Sequence, residues 1–181
     1  DVYKRQDNNV VHLLLNAADK DEIATILGSK NINKLSDEAV LNLIHRAINK
    51  DEMAKLIVKH KKELTYDNVH YLLDYAENKD AIINMIINHK KVLSVNSMAI
   101  LLRHATNKDE MATILGSENI NKLSDDNVDN LLYLPNADEM AKLIIKHKQE
   151  LTDNNVYNLL SHATNKDEIA QILGSENINK L

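Results

Sequence analysis

Leu35–Glu63 reads LSDEAVLNLIHRAINKDEMAKLIVKHKKE, and most of the remaining chain consists of versions of it. New copies open at Leu64, Leu93, Leu123 and Leu151, and a copy lacking its first residues precedes Leu35. Every opening Leu is followed by a hydroxyl residue: Ser36, Thr65, Ser94, Ser124 or Thr152. A hydroxyl placed just before an apolar-periodic run predicts a helix N-cap. Apolar residues then fall at offsets 5, 8, 9 and 12, as in Val40, Leu43, Ile44 and Ala47. The same offsets hold Met98, Leu101, Leu102 and Ala105, and later Val156, Leu159, Leu160 and Ala163. This spacing lays four side chains along one helical stripe.

A stop and a fresh start follow. Asn49-Lys50-Asp51-Glu52 has the form of a capping box, repeated at Asn107/Glu110, Asn136/Glu139 and Asn165/Glu168, with Asp19/Glu22 as a variant. Asn78 keeps the cap, with Ala81 in place of the Glu. A second amphipathic helix carries Met53, Ala54, Leu56 and Ile57. The unit is therefore a helical hairpin. A lone hairpin buries too few aliphatic side chains to offset an ordering cost of roughly 1–2 kcal/mol per backbone residue. Stacked neighbours must cover both of its faces.

The expected fold is all-α, an α-solenoid of tandem helical hairpins wound as a right-handed superhelix. Its copies are residues 7–34, 35–63, 64–92, 93–122, 123–150 and 151–180. They account for nearly all of the 181 residues and leave no room for a separate catalytic domain. Asp1–Gln6, DVYKRQ, stands outside the pattern and reads as a sequencing-adapter scar. Leu181 occupies the place of another opening Leu, so the chain reads as a fragment of a longer array.

The copies are of two kinds. In the first, fourth and last, the second helix meets Leu-Gly-Ser at Gly28, Gly116 and Gly174, and Ile32, Ile120 and Ile178 return an apolar side chain. Glycine there suits a left-handed position just past the helix. In the others the helix runs into a basic end: Lys59-His60-Lys61-Lys62, His89-Lys90-Lys91 or Lys146-His147-Lys148. We call these glycine-type and lysine-type copies. The copy at 123–150 is one residue short and places Leu134-Pro135 at the end of its first helix. Proline there predicts early termination of that helix and a bend in the stack.

Net charge is −5, which disfavours a partner held mainly through phosphates. The absence of cysteine rules out disulfides and thiolate metal sites. No apolar run approaches the roughly 18–20 residues of a membrane span. Of the eight His residues, His60, His89 and His147 sit at matching places in second helices and His104 and His162 in first helices, with equivalents about 10 Å apart per helix layer, too far to share an ion. No metal or cofactor is expected. No Ser-His-Asp spacing, glycine-rich phosphate loop or HExxH occurs, so the chain reads as a non-enzyme. The Lys-His-Lys ends read as helix C-terminal charge.

Between copies the core and cap positions agree while the outer face of the first helix varies. The candidate partner-binding residues there are Asn42, His45, Arg46, Tyr71, Asp74, Tyr75, Arg103, His104, Tyr133, Asn158, Ser161 and His162. A constant frame under a varied surface is how repeat stacks present a binding groove, here for a protein or peptide.

The chain resembles bacterial α-solenoid proteins built from two-helix repeats. It also resembles the DNA-reading repeats of transcription activator-like effectors, through Leu151-Thr152, Val156, Ser161-His162 and Lys166, with Lys50, Lys79 and Lys108 at the equivalent place. That likeness implies a nucleic-acid reader as the alternative function. The chain departs from it where Thr164-Asn165 replaces a Gly-Gly pair, where Ala47, Ala76, Ala105 and Ala163 fill a specifying position, and where acidic residues follow each Lys.

Overall fold

The computed structural model describes residues 2–89, 93–133 and 136–181. Every regular element among them is helical. The chain divides into two compact units, Asp1–Ser97 and Met98–Leu181.

The first unit contains α1 (Val2–Asn16), α2 (Lys20–Asn33), α3 (Asp37–Arg46), α4 (Lys50–His60), α5 (Tyr66–Tyr75) and α6 (Lys79–His89). Then α7 (Val95–His104) runs across the boundary between units. The second unit continues with α8 (Lys108–Leu115), α9 (Ser117–Asn121), α10 (Asp125–Leu132), α11 (Ala137–His147), α12 (Asp153–His162) and α13 (Lys166–Ile178). Thus α1 begins within the DVYKRQ stretch.

Within each unit, helices pack on a hairpin partner and on the matching helix of a neighbouring copy. In the first unit α1 meets α3, α3 meets α5, α2 meets α4, and α4 meets α6. In the second, α10 meets α12, while α11 meets both α8 and α13. The apolar stripe fills these contacts: Val40, Leu43, Ile44, Met53, Ala54 and Ile57 are sealed from solvent, as are Val69, Leu72, Ile82 and Ile86.

The caps differ in detail from the sequence expectation. Ser36, Thr65, Ser124 and Thr152 each accept from the backbone N–H three residues on, as expected. Reciprocal capping boxes, however, form at Ser124/Asn127 and Thr152/Asn155, on the first helices. On the second helices Asn49, Asn107 and Asn165 cap by their side-chain oxygens. The Glu of the pattern takes the Asn amide instead, as in Asn107 Nδ2 to Glu110 Oε2 at 3.1 Å. Asn136 makes only that second kind of bond, to Glu139.

The alanine at offset 12 also lies off the helix. Ala47, Ala76 and Ala163 take extended C-cap conformations, and they are buried there because the hairpin turn folds against the core. In the first copy Leu14 is sealed, yet Leu13, assigned to the same stripe, remains 47 % exposed. On the second helix, Ile26 is 71 % exposed where Leu56 and Leu143 at the same place are 6 % and 5 % exposed. Ile114 and Ile172 share that exposure, so glycine-type copies use a narrower apolar stripe.

The glycines carry a further correction. Their φ values are 71, 77 and 73°, but ψ is 156, 152 and 163°. That is an extended mirror conformation rather than the left-handed helical one. It breaks the helix and restarts another at once: Gly116 N–H donates to Ala112 O, and Gly116 O accepts from Asn119 and Ile120. The new turn returns Ile32 and Ile120 to full burial. A Cβ at Gly116 would meet nothing within 4 Å, so substitution strains only the backbone. Gly116→Ala is expected to cost about 1–2 kcal/mol in equilibrium unfolding.

The first helix of the short copy does end early. α10 stops at Leu132, offset 9, whereas α3 and α12 continue to offset 11. Leu134 and Pro135 themselves, like Lys90 and Lys91, lie outside the described residues.

Candidate functional site

Within each unit, polar rungs tie a hairpin to the next, and the same kinds recur in both units. The first rung starts at an Asp in the first turn of the first helix. Asp37 Oδ1 accepts from Thr65 Oγ1 at 2.7 Å and from the buried Asn68 Nδ2 at 2.6 Å. Asp125 does the same for Thr152 and Asn155, at 2.7 and 2.6 Å. Asp7, at the matching repeat position but inside α1, takes the hydroxyl of Ser36 at 2.6 Å.

The second rung uses the Asp of the second-helix cap, in two ways. In lysine-type copies it holds the next hairpin turn by the backbone. Asp51 accepts from Glu77 N–H at 2.8 Å and Asn78 N–H at 3.1 Å, and Asp138 from Thr164 and Asn165 at 2.8 and 3.1 Å. In glycine-type copies it takes side chains. Asp21 pairs with Lys59 and with His60 at 2.9 Å, and Asp109 pairs with Lys146 at 2.9 Å and His147 at 3.1 Å.

The third rung is a buried lysine. Lys61, 4 % exposed, donates to Asn33 O and Leu35 O, both at 2.9 Å. Lys148, 5 % exposed, donates to Asn121 O at 2.7 Å and Leu123 O at 3.0 Å. The backbone N–H groups of Lys62 and Gln149 then reach the Asn33 and Asn121 side-chain oxygens, at 2.6 and 2.7 Å. The basic ends therefore fasten copies together, a role their sequence position did not announce.

These pairings set a pH dependence. Hydrogen bonds from Lys59 and His60 hold the Asp21 carboxyl below its ordinary 3.8, and those from Lys146 and His147 do so for Asp109. Below 3.8 the unfolded chain binds more protons than the folded one at these groups. Their stabilisation is thus full above 3.8 and lost as pH falls through the lowered values. Asp21→Asn with Asp109→Asn should flatten the acid limb of a Tm-against-pH curve.

Two of the lysines expected to face phosphate, Lys50 and Lys108, are otherwise engaged, as is Lys20 at the matching place of the first copy. Lys20 Nζ donates to Ala17 O at 3.0 Å. Lys108 Nζ donates to Ala105 O at 2.7 Å and Arg103 O at 3.2 Å, and Lys50 reaches His45 O and Ala47 O at 3.4 Å. They cap the carbonyl ends of the first helices, where a cation also meets the negative end of the dipole.

The variable positions of neighbouring copies come together. His45, at offset 10 of one copy, meets Tyr75, at offset 11 of the next, edge-on with ring centroids 5.8 Å apart. Tyr133 and His162 repeat this relation in the second unit at 4.4 Å. His162 is held from behind by Asp129 at 2.9 Å, and Asp74 holds His70, which abuts Tyr71. Asn42, Arg46, Asp74 and Arg103 are exposed; Tyr71, His104 and Asn158 are half-buried. Ser161 is exposed, with its hydroxyl donating to Asn158 O. Tyr133 is 70 % exposed and Ile48, next to this strip, wholly so.

Sequence reading missed two clefts between second helices. One, of about 460 Å3, is lined by Lys20, Asp21, Glu52, Lys55 and Lys59 over Leu56 and Met85. Its counterpart, also about 460 Å3, is lined by Lys108, Asp109, Glu139, Lys142 and Lys146 over Leu143. Both lie where a lysine-type copy follows a glycine-type copy. The signal was available: the same charges recur at matched places in both pairs of copies. The two clefts differ in charge at the lining cap position, Asp19 in the first and Asn107 in the second, and at one position of the following copy. Lys142 pairs with Glu168 of the next copy, whereas the matching position in the copy after Lys55 is Ala81.

Among the described residues no three His, Asp or Glu side chains converge as metal ligands would. No helix among them is long and apolar enough to cross a membrane. No family model, curated protein or solved structure matches the chain.

Proposed function

We propose that the chain is a non-enzymatic binding scaffold, an α-solenoid of right-handed twist that docks a protein or peptide along the ends of its first helices. The observation that supports this most is the aromatic contact between variable positions of adjacent copies, His45 with Tyr75 and Tyr133 with His162. In each unit it joins residues from two separate hairpins into a short strip. Tyrosine rings beside charged rims are the chemistry of interaction hot spots. Because each strip joins two neighbouring copies, a partner docked on it reads both at once. The candidate contacts are Asn42, His45, Arg46, Tyr71, Asp74 and Tyr75 in the first unit. In the second they are Arg103, His104, Tyr133, Asn158, Ser161 and His162.

The nucleic-acid alternative draws less support. The ammonium groups of Lys50 and Lys108 already serve backbone carbonyls, and carboxylates follow them in sequence. Random duplex DNA titrated at roughly 50 and 200 mM salt separates the two readings. The scaffold reading expects weak binding at both. An affinity that falls by about 10³-fold or more across that range belongs to a phosphate reader and would displace it. Peptides selected from a random display library against the folded chain give the positive arm. Tyr75→Ala or Tyr133→Ala should weaken the selected peptides by about tenfold, or roughly 1.4 kcal/mol.

A further inference from the structure

The cleft of the first unit lacks a carboxylate that meets the matching lysine in the second. There, Lys142 Nζ lies 2.5 Å from Glu168 Oε1, and Glu168 is the third residue of α13. The third residue of α6 is Ala81. The two backbones are capped alike: Ala81 N–H donates to Asn78 Oδ1 at 3.1 Å, and Glu168 N–H to Asn165 Oδ1 at 3.3 Å. The first unit therefore keeps the lysine, Lys55, and the helix start opposite it, without the acid between them.

The other charges around this cleft already have partners. Lys59 meets Asp21, which also takes His60, and Lys20 donates to Ala17 O at 3.0 Å. Asp19 Oδ1 accepts from Glu22 N–H at 2.9 Å. Lys55 is exposed, and among the described residues none pairs with it. Glu52 also lines the cleft, but the second cleft has Glu139 at that place and Lys142 still takes Glu168. A resident carboxylate thus does not bar a second one. Leu56 and the half-buried Met85 add an apolar floor to a cleft of about 460 Å3. The cleft is internal to the first unit: α1 precedes its helices and α7 follows them.

We propose that this cleft is a docking site for an acidic peptide segment of a partner protein. A glutamate of the partner takes Lys55 as Glu168 takes Lys142, and an aliphatic neighbour of that glutamate covers Leu56 and Met85. The site shares no residue with the first-helix strip and stands or falls independently of it.

The test titrates the full chain, followed by methyl NMR, with a blocked synthetic peptide of the sequence 165–173, NKDEIAQIL. Docking predicts saturable shifts of the Leu56 and Met85 methyl signals. Leu143, in the cleft whose lysine already has its acid, should stay unmoved. The same peptide carrying Glu168→Gln should bind about two- to fivefold more weakly, the loss expected of one partly exposed ion pair. Lys55→Gln in the chain should cause a similar loss and leave no further response to the change in the peptide. Ala81→Glu restores the missing acid inside the chain and should suppress binding with Lys55 intact, whereas Ala81→Gln should bind more tightly than Ala81→Glu. Absence of saturable shifts at Leu56 and Met85, or affinities indifferent to both Glu168→Gln in the peptide and Ala81→Glu in the chain, overturns the proposal.

Discussion

Lys61→Ala is expected to destabilise the first unit by about 3 kcal/mol, and Lys148→Ala the second by a similar amount. The ammonium of Lys61 bonds two carbonyls, Asn33 O and Leu35 O, at a place where the side chain is 4 % exposed. A hydrogen bond from a charged donor contributes roughly 1.5–3 kcal/mol, and losing it strands a carbonyl. Regained hydration of the missing cation offsets part of the sum of two. Lys62→Ala, one residue along and exposed, should stay within about 0.5 kcal/mol. Urea unfolding of each single variant measures the contrast. Burial also pushes the Lys61 ammonium below its ordinary 10.5, with Asp37 and other carboxylates opposing the shift. Between the lowered value and 10.5 the unfolded chain binds more protons, so this group's contribution to stability rises with pH through that window. Lys61→Met should remove the rise.

Ile57→Ala should cost about 2–5 kcal/mol. Ile57 is sealed within α4, which packs on α2 before it and α6 after it, so neither neighbour can collapse freely into the void. Ile26→Ala removes the same atoms from a side chain 71 % exposed and should change stability by no more than about 0.5 kcal/mol. Equal costs at the two positions would mean that stacking is not what buries the stripe.

The hairpins were legible because their signals are local. A hydroxyl cap, four apolar offsets and a second Asn cap lie within one copy, and α3, α5 and α12 begin where those signals place them. The early end of α10 beside Leu134-Pro135 was legible for the same reason. What escaped depends on the neighbouring copy. Nothing inside Lys59-His60-Lys61-Lys62 tells which lysine is buried; Asn33 and Leu35 decide it, 26 and more residues away. Asn68 and Asn155 look like turn residues in sequence, but each is buried because Asp37 or Asp125 of the preceding copy awaits its amide. The glycine conformation was half legible. A positive φ follows from glycine at a helix end, while the extended ψ follows from the need to restart a helix and bury Ile32 or Ile120. At the binding surface the variable positions could be named, but the pairing of offset 10 with offset 11 needed the packed hairpins.

All of this rests on each hairpin being ordered by the ones beside it. Far-UV circular dichroism of an isolated hairpin spanning 35–63, set against the full chain at the same temperature, measures that most directly. The account predicts a largely disordered hairpin without a cooperative melt, and a helical full chain that unfolds cooperatively. A lone hairpin that is fully helical and melts sharply would contradict it.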